Sequence, residues 1–418
     1  MIGHIIKIIF KNRKTNSWIF AELLLVSGAI WYMADQYYVN TRTYYSPLGY
    51  DISNVWFFRL DNLNESNADF VADSDPVADL LKLKEQIVQH PMVEEACISF
   101  YSSPYSWGNS WLSLYPVNGD TTASAHRSFH VRRVTPEYFD VFRITDKEGN
   151  KIAPLLAGYE QPLVISYDME KLFFPDSNGK GKKVRHSNNE TEEYPIVAVC
   201  TPIRDNDYEK SDPCFYQCMT GSSFVNNVQQ FGNTSAEFSV RMKTKLSQRE
   251  MNNFLSEMGD RLTVNNLYVY NAKEIAEQRK EILSEKQNEE KSNNAVVAFV
   301  LVNVFFGIIG TFWLRTQSRK DEIGLRIALG ASRQATKKHL YMEGLCLLTL
   351  TIPFVLVFTA NMFYFDIPDT FRMPNSFGRF IITFGGTYLL IGGMIVLGIS
   401  LPARKAARLQ PAEALHYE

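Results

Sequence analysis

Between Arg315 and Lys338 the chain carries seven Lys or Arg residues (Arg315, Arg319, Lys320, Arg326, Arg333, Lys337 and Lys338) against two acids, Asp321 and Glu322. Cations at that density make charge-assisted hydrogen bonds to acids of a partner, or hold a membrane loop on the cytoplasmic side. Other groupings of reactive residues are thin. His126 and His130 stand four apart, the spacing of a metal pair on a helix, but Phe129, His130 and Val131 alternate like a strand, and no Glu completes an H-E-x-x-H pattern. Cys214 and Cys218 are the nearest pair among five cysteines. Spacing does not tell a disulfide from free buried thiols. No G-x-x-x-x-G-K-S/T loop occurs, and Gly179 to Lys183 lacks the hydroxyl residue. Nor does any spacing argue a Ser/His/Asp or Cys/His arrangement. The chain is therefore expected not to be an enzyme and to bind no cofactor or metal directly.

The basic segment lies between two long apolar runs, so helices must position it. Ile323 and Ile327, and Leu325 and Leu329, are spaced i,i+4, which continues the preceding span as a helix. Arg319 and Arg326, seven apart, share nearly one face of it. Glu322 stands four before Arg326, a pairing distance within a helix. Gly330 is a good helix stop and Ser332 a good N-cap, giving a sharp turn at Gly330 and Ala331 and a second helix back to the membrane. A plain juxtamembrane basic loop would account for the charge alone.

The order of residues adds to this. Glu322-Ile323-Gly324-Leu325-Arg326 followed by Ala328-Leu329-Gly330-Ala331-Ser332 closely resembles the E-I-G-I/L-R-x-A-x-G-A signature of FtsX/MacB-type ABC transporter permeases. Ile327 stands where many members have a second Arg. Pro402 through Glu418 resembles a second signature of the family, P-A-R-x-A-A-R-x-x-P-x-E-A-L-x-x-E, with Lys405 and His416 where Arg is frequent. The resemblance implies that Glu322, Gly324, Arg326, Gly330, Ala331, Ser332 and Arg333 form the contact with a separate ATPase subunit, which uses the ATP. It also implies a cytoplasmic tail motif carried by Pro402, Arg404, Arg408, Pro411 and Glu413.

The remaining chain fits that frame. With 418 residues, formal charge −2 and 45% hydrophobic residues, it has room for two or three domains and no basic patch interleaved with aromatics, which argues against nucleic acid. Residues 1–17 place His4, Lys7, Lys11 and Lys14 at three- and four-residue steps, as an amphipathic helix in the membrane interface. The same cations would suit the start of a signal peptide, but the apolar run continues through Ile30 to Met33. Spans are expected at 18–38, 295–314, 340–365 (with Pro353 as a kink) and 380–401, and a short outer loop at 366–379. Glu22, near one end of the first span, is expected to reach the interface, and Asn303 to hydrogen-bond across a dimer interface. The polar region 39–294 reads as two split strand-helix-strand units, at Val55 to Tyr101 and Glu237 to Tyr270, around an insert at about 131–235. A charged helix from Ala272 should run into the second span.

The expected fold class is thus an α-helical membrane protein with four transmembrane helices and a large α+β extracytoplasmic domain. Four spans and the Lys/Arg clusters at 1–17, 315–339 and 402–418 place those segments and both termini in the cytoplasm. The resemblance further implies porter-like and Sabre-like subdomains in the outer domain and a location in the bacterial inner membrane. It implies as partners an ABC ATPase subunit, a second permease copy or paralogue, the lipid bilayer and a periplasmic adaptor. The implied function is transmission of ATP-driven motion to the outer domain for export or efflux. FtsX-like signalling to a cell-wall hydrolase and lipoprotein release are the alternatives.

Overall fold

The computed structural model describes residues 11, 13–106, 108–117, 127–186, 189–319, 322–325, 329 and 331–406. It divides into two compact units, residues 45–286 and the remainder. The interfacial helix expected at 1–17 falls mostly outside the described residues. Helix α1 (Arg13–Tyr44) overruns the apolar stretch 18–38 at both ends. After Gly28 no Gly or Pro interrupts it before Pro47.

Unit 45–286 is built on a split core. Strand β1 (Val55–Asn62), helix α2 (Pro76–Val88) and strand β2 (Val93–Phe100) form its first half. In α2 the Asp75 side chain accepts from the Val77 amide at 2.9 Å, and Pro76 occupies the first turn, where no donor is lost. The chain then departs into an insertion of strands β3 (Trp111–Leu112), β4 (Leu114–Pro116) and β5 (Phe129–Val134), helix α3 (Tyr138–Val141), strand β6 (Leu163–Ser166), helix α4 (Tyr167–Phe173), strands β7 (Lys183–His186), β8 (Asn189–Cys200) and β9 (Cys214–Cys218), and helix α5 (Ser222–Phe231). It returns as β10 (Glu237–Met242), α6 (Gln248–Met258), β11 (Thr263–Val264) and β12 (Leu267–Glu274). A capping box of Ser247 and Glu250 starts α6.

The order β12-β1-β10-β2, antiparallel throughout, is that of a ferredoxin-like sheet cut in its middle. Leu80, Leu83 and Ile87 of α2 and Met251, Phe254 and Met258 of α6 bury one core with Trp56, Phe58, Phe238 and Val240. The insertion prolongs the same sheet through β5-β9-β6-β8-β7-β4, with β3 beside β5. Its strands begin at Trp111 rather than near residue 131, because β3 and β4 are too short to leave a periodic pattern. Ala272, Lys273 and Glu274 pair with Phe58, Phe57 and Trp56, so the helix expected from Ala272 starts only after this pairing ends.

Helix α7 (Ile275–Ser318) then runs 44 residues unbroken. That is about 66 Å, roughly twice a bilayer's hydrocarbon thickness. Helices α8 (Arg333–Tyr364) and α9 (Phe377–Ala406) complete the chain's described part. All four of α1, α7, α8 and α9 are long and apolar enough to cross a membrane. Ile19, Leu23 and Ile30 of α1, Leu347 and Leu348 of α8, and Ile391, Ile395 and Ile399 of α9 share one buried cluster, which α7 joins through Ile308 and Phe312. Gly344 sets the α8–α9 approach, since a Cβ there would lie 2.8 Å from Ile395 and Ile399.

Candidate coupling site

The basic segment is organised around an acid that composition hides. Glu343, in α8, is 2% exposed and faces two guanidinium groups from the end of α7. Arg315 Nη2 donates to its Oε1 at 2.5 Å, and Arg319 Nη1 reaches both oxygens at 3.0 and 2.8 Å. Arg319 then turns its other edge to Glu322, donating from Nε at 2.7 Å and Nη2 at 2.9 Å. This two-pronged fork is the geometry a planar guanidinium allows and an ammonium does not. Phe312, Thr316, Leu340 and Ile399 surround Arg315, Arg319 and Glu343, while Glu322 lies at the open edge. Four charges are thereby shared among α7, α8 and the short helical piece 322–325.

Around the cluster, Ile323 is 4% exposed and Gly324 is buried, while Leu325 and Leu329 face outward at 54% and 79%. Ser332 caps α8, its Oγ accepting from the Ala335 amide at 3.2 Å, and Thr336 Oγ1 donates to its carbonyl. Ala331 is half-buried just before the cap. Of the other residues expected here, Arg326 and Gly330 lie outside the described residues, as do Arg408, Pro411 and Glu413. Arg333 opens α8, and Pro402 and Arg404 lie in the last turns of α9; their backbones alone are described. The structure thus brings Glu322 into one cluster with Arg315, Arg319 and Glu343. In the sequence Arg315 and Arg319 are two of seven cations and Glu343 belongs to no motif, although a lone Glu in the apolar run Leu340–Phe365 is itself a signal.

A second ion pair lies between α1 and α9. Asp35 and Arg379 are both fully buried, with Arg379 Nε donating to Oδ1 at 2.8 Å and Nη2 to Oδ2 at 2.5 Å. Arg379 Nη1 also donates to the carbonyls of Asp369 and Met373. Glu22 accepts from Thr311 of α7 at 3.0 Å, so its oxygen meets a neighbouring helix. Asn303 donates to the Phe299 carbonyl of its own helix.

The remaining candidates acquire ordinary surroundings. His126 is outside the described residues. His130 stacks on Trp111 and its Nδ1 lies 3.2 Å from Asp205, which also pairs with Arg132. Burial opposes ionisation of Asp205, yet the His130 hydrogen bond and the Arg132 charge hold its carboxyl well below the usual range. All five cysteines are free. Cys214 and Cys218 lie on one strand, about 13 Å apart by strand rise, too far to bridge. Burial pushes Cys214 up to about 11 and raises Cys97, Cys200 and Cys218, so these thiols stay protonated. Among the described residues no group of three or more His, Cys, Asp or Glu is placed to hold a metal.

Four helices of membrane length, a separate α/β unit and an ionic joint between helices describe a protein of the multi-span membrane class. Known proteins narrow this further. Residues 294–411 match the FtsX-like permease C-terminal family. The macrolide export ATP-binding/permease protein MacB of Agrobacterium fabrum is 32% identical over 126 residues, 30% of this chain and 18% of that protein. The uncharacterized ABC transporter permease YvrN of Bacillus subtilis is 23% identical over 366 residues, 78% of this chain and 80% of that one. The crystal structure of the periplasmic region of MacB from Actinobacillus actinomycetemcomitans, 14% identical, aligns over 58% of this chain and 94% of its own, with a TM-score of 0.33. The chain spans less than a fifth of the MacB relative's length. By sequence its residues 294–411 resemble the FtsX-like permeases, and over most of its length it is similar to an ABC transporter permease.

Proposed function

We propose that this chain is the permease subunit of an ABC system, and that it transmits ATP-driven movement of a separate ATPase to residues 39–294 on the far side of a bacterial inner membrane, in the service of export. Residues 315–339, the tail 402–418 and both termini face the cytoplasm in this reading, as their cations require. A second permease copy or a paralogue completes the assembly, and a periplasmic adaptor is a further partner. The chain itself binds no nucleotide; the ATPase does.

The observation that carries the reading is the Arg315–Glu343–Arg319–Glu322 cluster. A docking element can move a membrane helix only if it is fastened to it. Here Glu322, the first residue of the signature, is tied through Arg319 to Glu343 in α8, and Arg319 directly follows α7. Force applied at 322–332 therefore reaches two spans at once, and α7 is the element that leads back along the chain to residues 39–294.

Arg326, Gly330 and Ala331 supply the contact itself. The test is the double variant Arg326→Glu with Gly330→Leu, which leaves the loop positive enough to insert. Reversing one partner of an interfacial charge pair costs several kcal/mol, on the order of 2–5. Membrane insertion should be normal, while co-purification of the ATPase in mild detergent and ATP hydrolysis by the complex should be lost. Normal co-purification and hydrolysis would remove the coupling role from this stretch.

A further inference from the structure

From the loop joining α8 to α9, we infer that residues 364–377 form a rigid interfacial wedge that lies in the lipid headgroup and upper acyl region of the bilayer. The segment is unusually apolar for a loop. Tyr364, Phe365, Ile367, Phe371 and Phe377 are 82%, 65%, 49%, 70% and 80% exposed. An amphipathic ring such as that of Tyr364 favours the membrane–water boundary, and the apolar Phe365, Ile367, Phe371 and Phe377 favour the acyl region beside it.

What sets their depth is the buried pair beneath them. Arg379 sits in the first turn of α9, spends two donors on Asp35 of α1, and uses Nη1 on the carbonyls of Asp369 and Met373 in the middle of the loop. The Ile367 amide returns to the Met362 carbonyl at 3.1 Å, and Arg372 folds back on Asp369. A connection of this length could rise well above the helices if extended. Bolted at both ends and in its middle, it stays at the level where the spans stop.

The occupant follows from continuity. An open groove of about 470 Å³ runs beside the loop, lined by Leu356, Phe363, Phe377 and Phe380, with Thr359, Asn375 and Ser376 as its polar members. Leu356, which lines the groove, and Ile381, one helical turn after Phe377, are themselves 39% and 50% exposed, on helices of membrane length. Acyl chains that cover those residues reach the groove without a break, and the aromatic rings above meet the headgroup region. The inference holds for whichever leaflet that end of the helices occupies.

The test uses the full chain in nanodiscs of phosphatidylcholine. Phe365→Cys and Phe377→Cys are each labelled with a nitroxide, and its collisions with oxygen and with a water-soluble nickel chelate are compared. Lys180→Cys on the exposed unit sets the aqueous limit and Leu389→Cys the lipid limit; the parent, labelled in parallel, sets the background from its own cysteines. The oxygen-to-chelate ratio at 365 and 377 should lie severalfold above the Lys180 value, on the Leu389 side. A ratio equal to that at Lys180 would overturn the wedge, and so would shielding from both reagents, which would mean that protein covers the loop. In Arg379→Lys, which keeps the charge but gives up the fork, the ratio at 365 should fall toward the aqueous value. An unchanged ratio there would show that the bolt does not set the depth.

Discussion

Glu343 is a carboxylate in an apolar run, and its worth to the protein lies in what its removal would strand. Two guanidinium groups share its oxygens, both in a nearly closed space. A buried ion pair is weak evidence of net stability, since desolvation offsets attraction, but deleting one partner leaves charge without compensation at a cost of about 3–5 kcal/mol. Glu343→Ala should therefore lower the detergent melting temperature by several degrees and loosen 319–325, whereas Glu343→Gln should do less because it still accepts. A melting temperature unchanged in the alanine variant would show that the cluster is not held as described. This residue also marks how far the sequence could be read. The cations around it were plain from their density, and Ser332 as a cap from the turn before it. Glu343 stands 28 residues from Arg315, and only packing of α8 on α7 brings them together. Asp35 and Arg379, 344 positions apart, are the same case: each looks like a stray charge at a span end until the helices meet.

Helices and strands with local signals were legible, and those fixed by distant partners were not. Asp75 with Pro76, and Ser247 with Glu250, announce α2 and α6 within four residues each. The two-residue strand β3 and the start of the insertion have no such marker, and Ala272 to Glu274 read as helix until β1 claims them. Glycines show the same division. A Cβ on Gly344 would fall 2.8 Å from Ile395 and Ile399 and 3.2 Å from Phe312, while one on Gly386 would meet nothing within 4 Å. Overpacking costs about 1–3 kcal/mol where neighbours cannot yield. Gly344→Leu should thus destabilise the helical unit in a detergent melt, and Gly386→Leu should leave it unchanged. Equal behaviour of the two would mean that α8 and α9 do not approach through Gly344.

For the whole molecule, the question is whether residues 45–286 are a domain in the thermodynamic sense. They enclose three apolar clusters of their own, one under α2 and α6 and two on the insertion. Their last turns belong to α7: Ile275 and Leu283 are buried in that unit, Gln278 donates to the Tyr105 carbonyl at 2.6 Å, and Arg279 forks onto Asp207. A fragment 45–286 expressed alone should be soluble, with a mixed helix and sheet spectrum and one cooperative urea transition. A fragment ending at Glu274 should unfold at lower urea, because it keeps Asp207 and loses Arg279. The pH dependence follows from Asp205, whose pKa lies below its unfolded value of about 3.9. Its ionised form is the one the fold favours, so its contribution is complete above that value and is lost progressively as pH falls from there through the lowered pKa of the folded state. Glu237 acts in the opposite sense: burial raises its pKa against the Ser102 and Ser103 amides, so its share is present at low pH and declines as pH rises. Comparison with Asp205→Asn separates the two. The variant should be less stable than the parent at pH 7, and the gap should close as pH falls below about 4. A gap that stays constant with pH would mean that Arg132 and His130 do not hold Asp205 in its ionised form. A disordered spectrum for 45–286 would mean that the helical unit is needed to fold it.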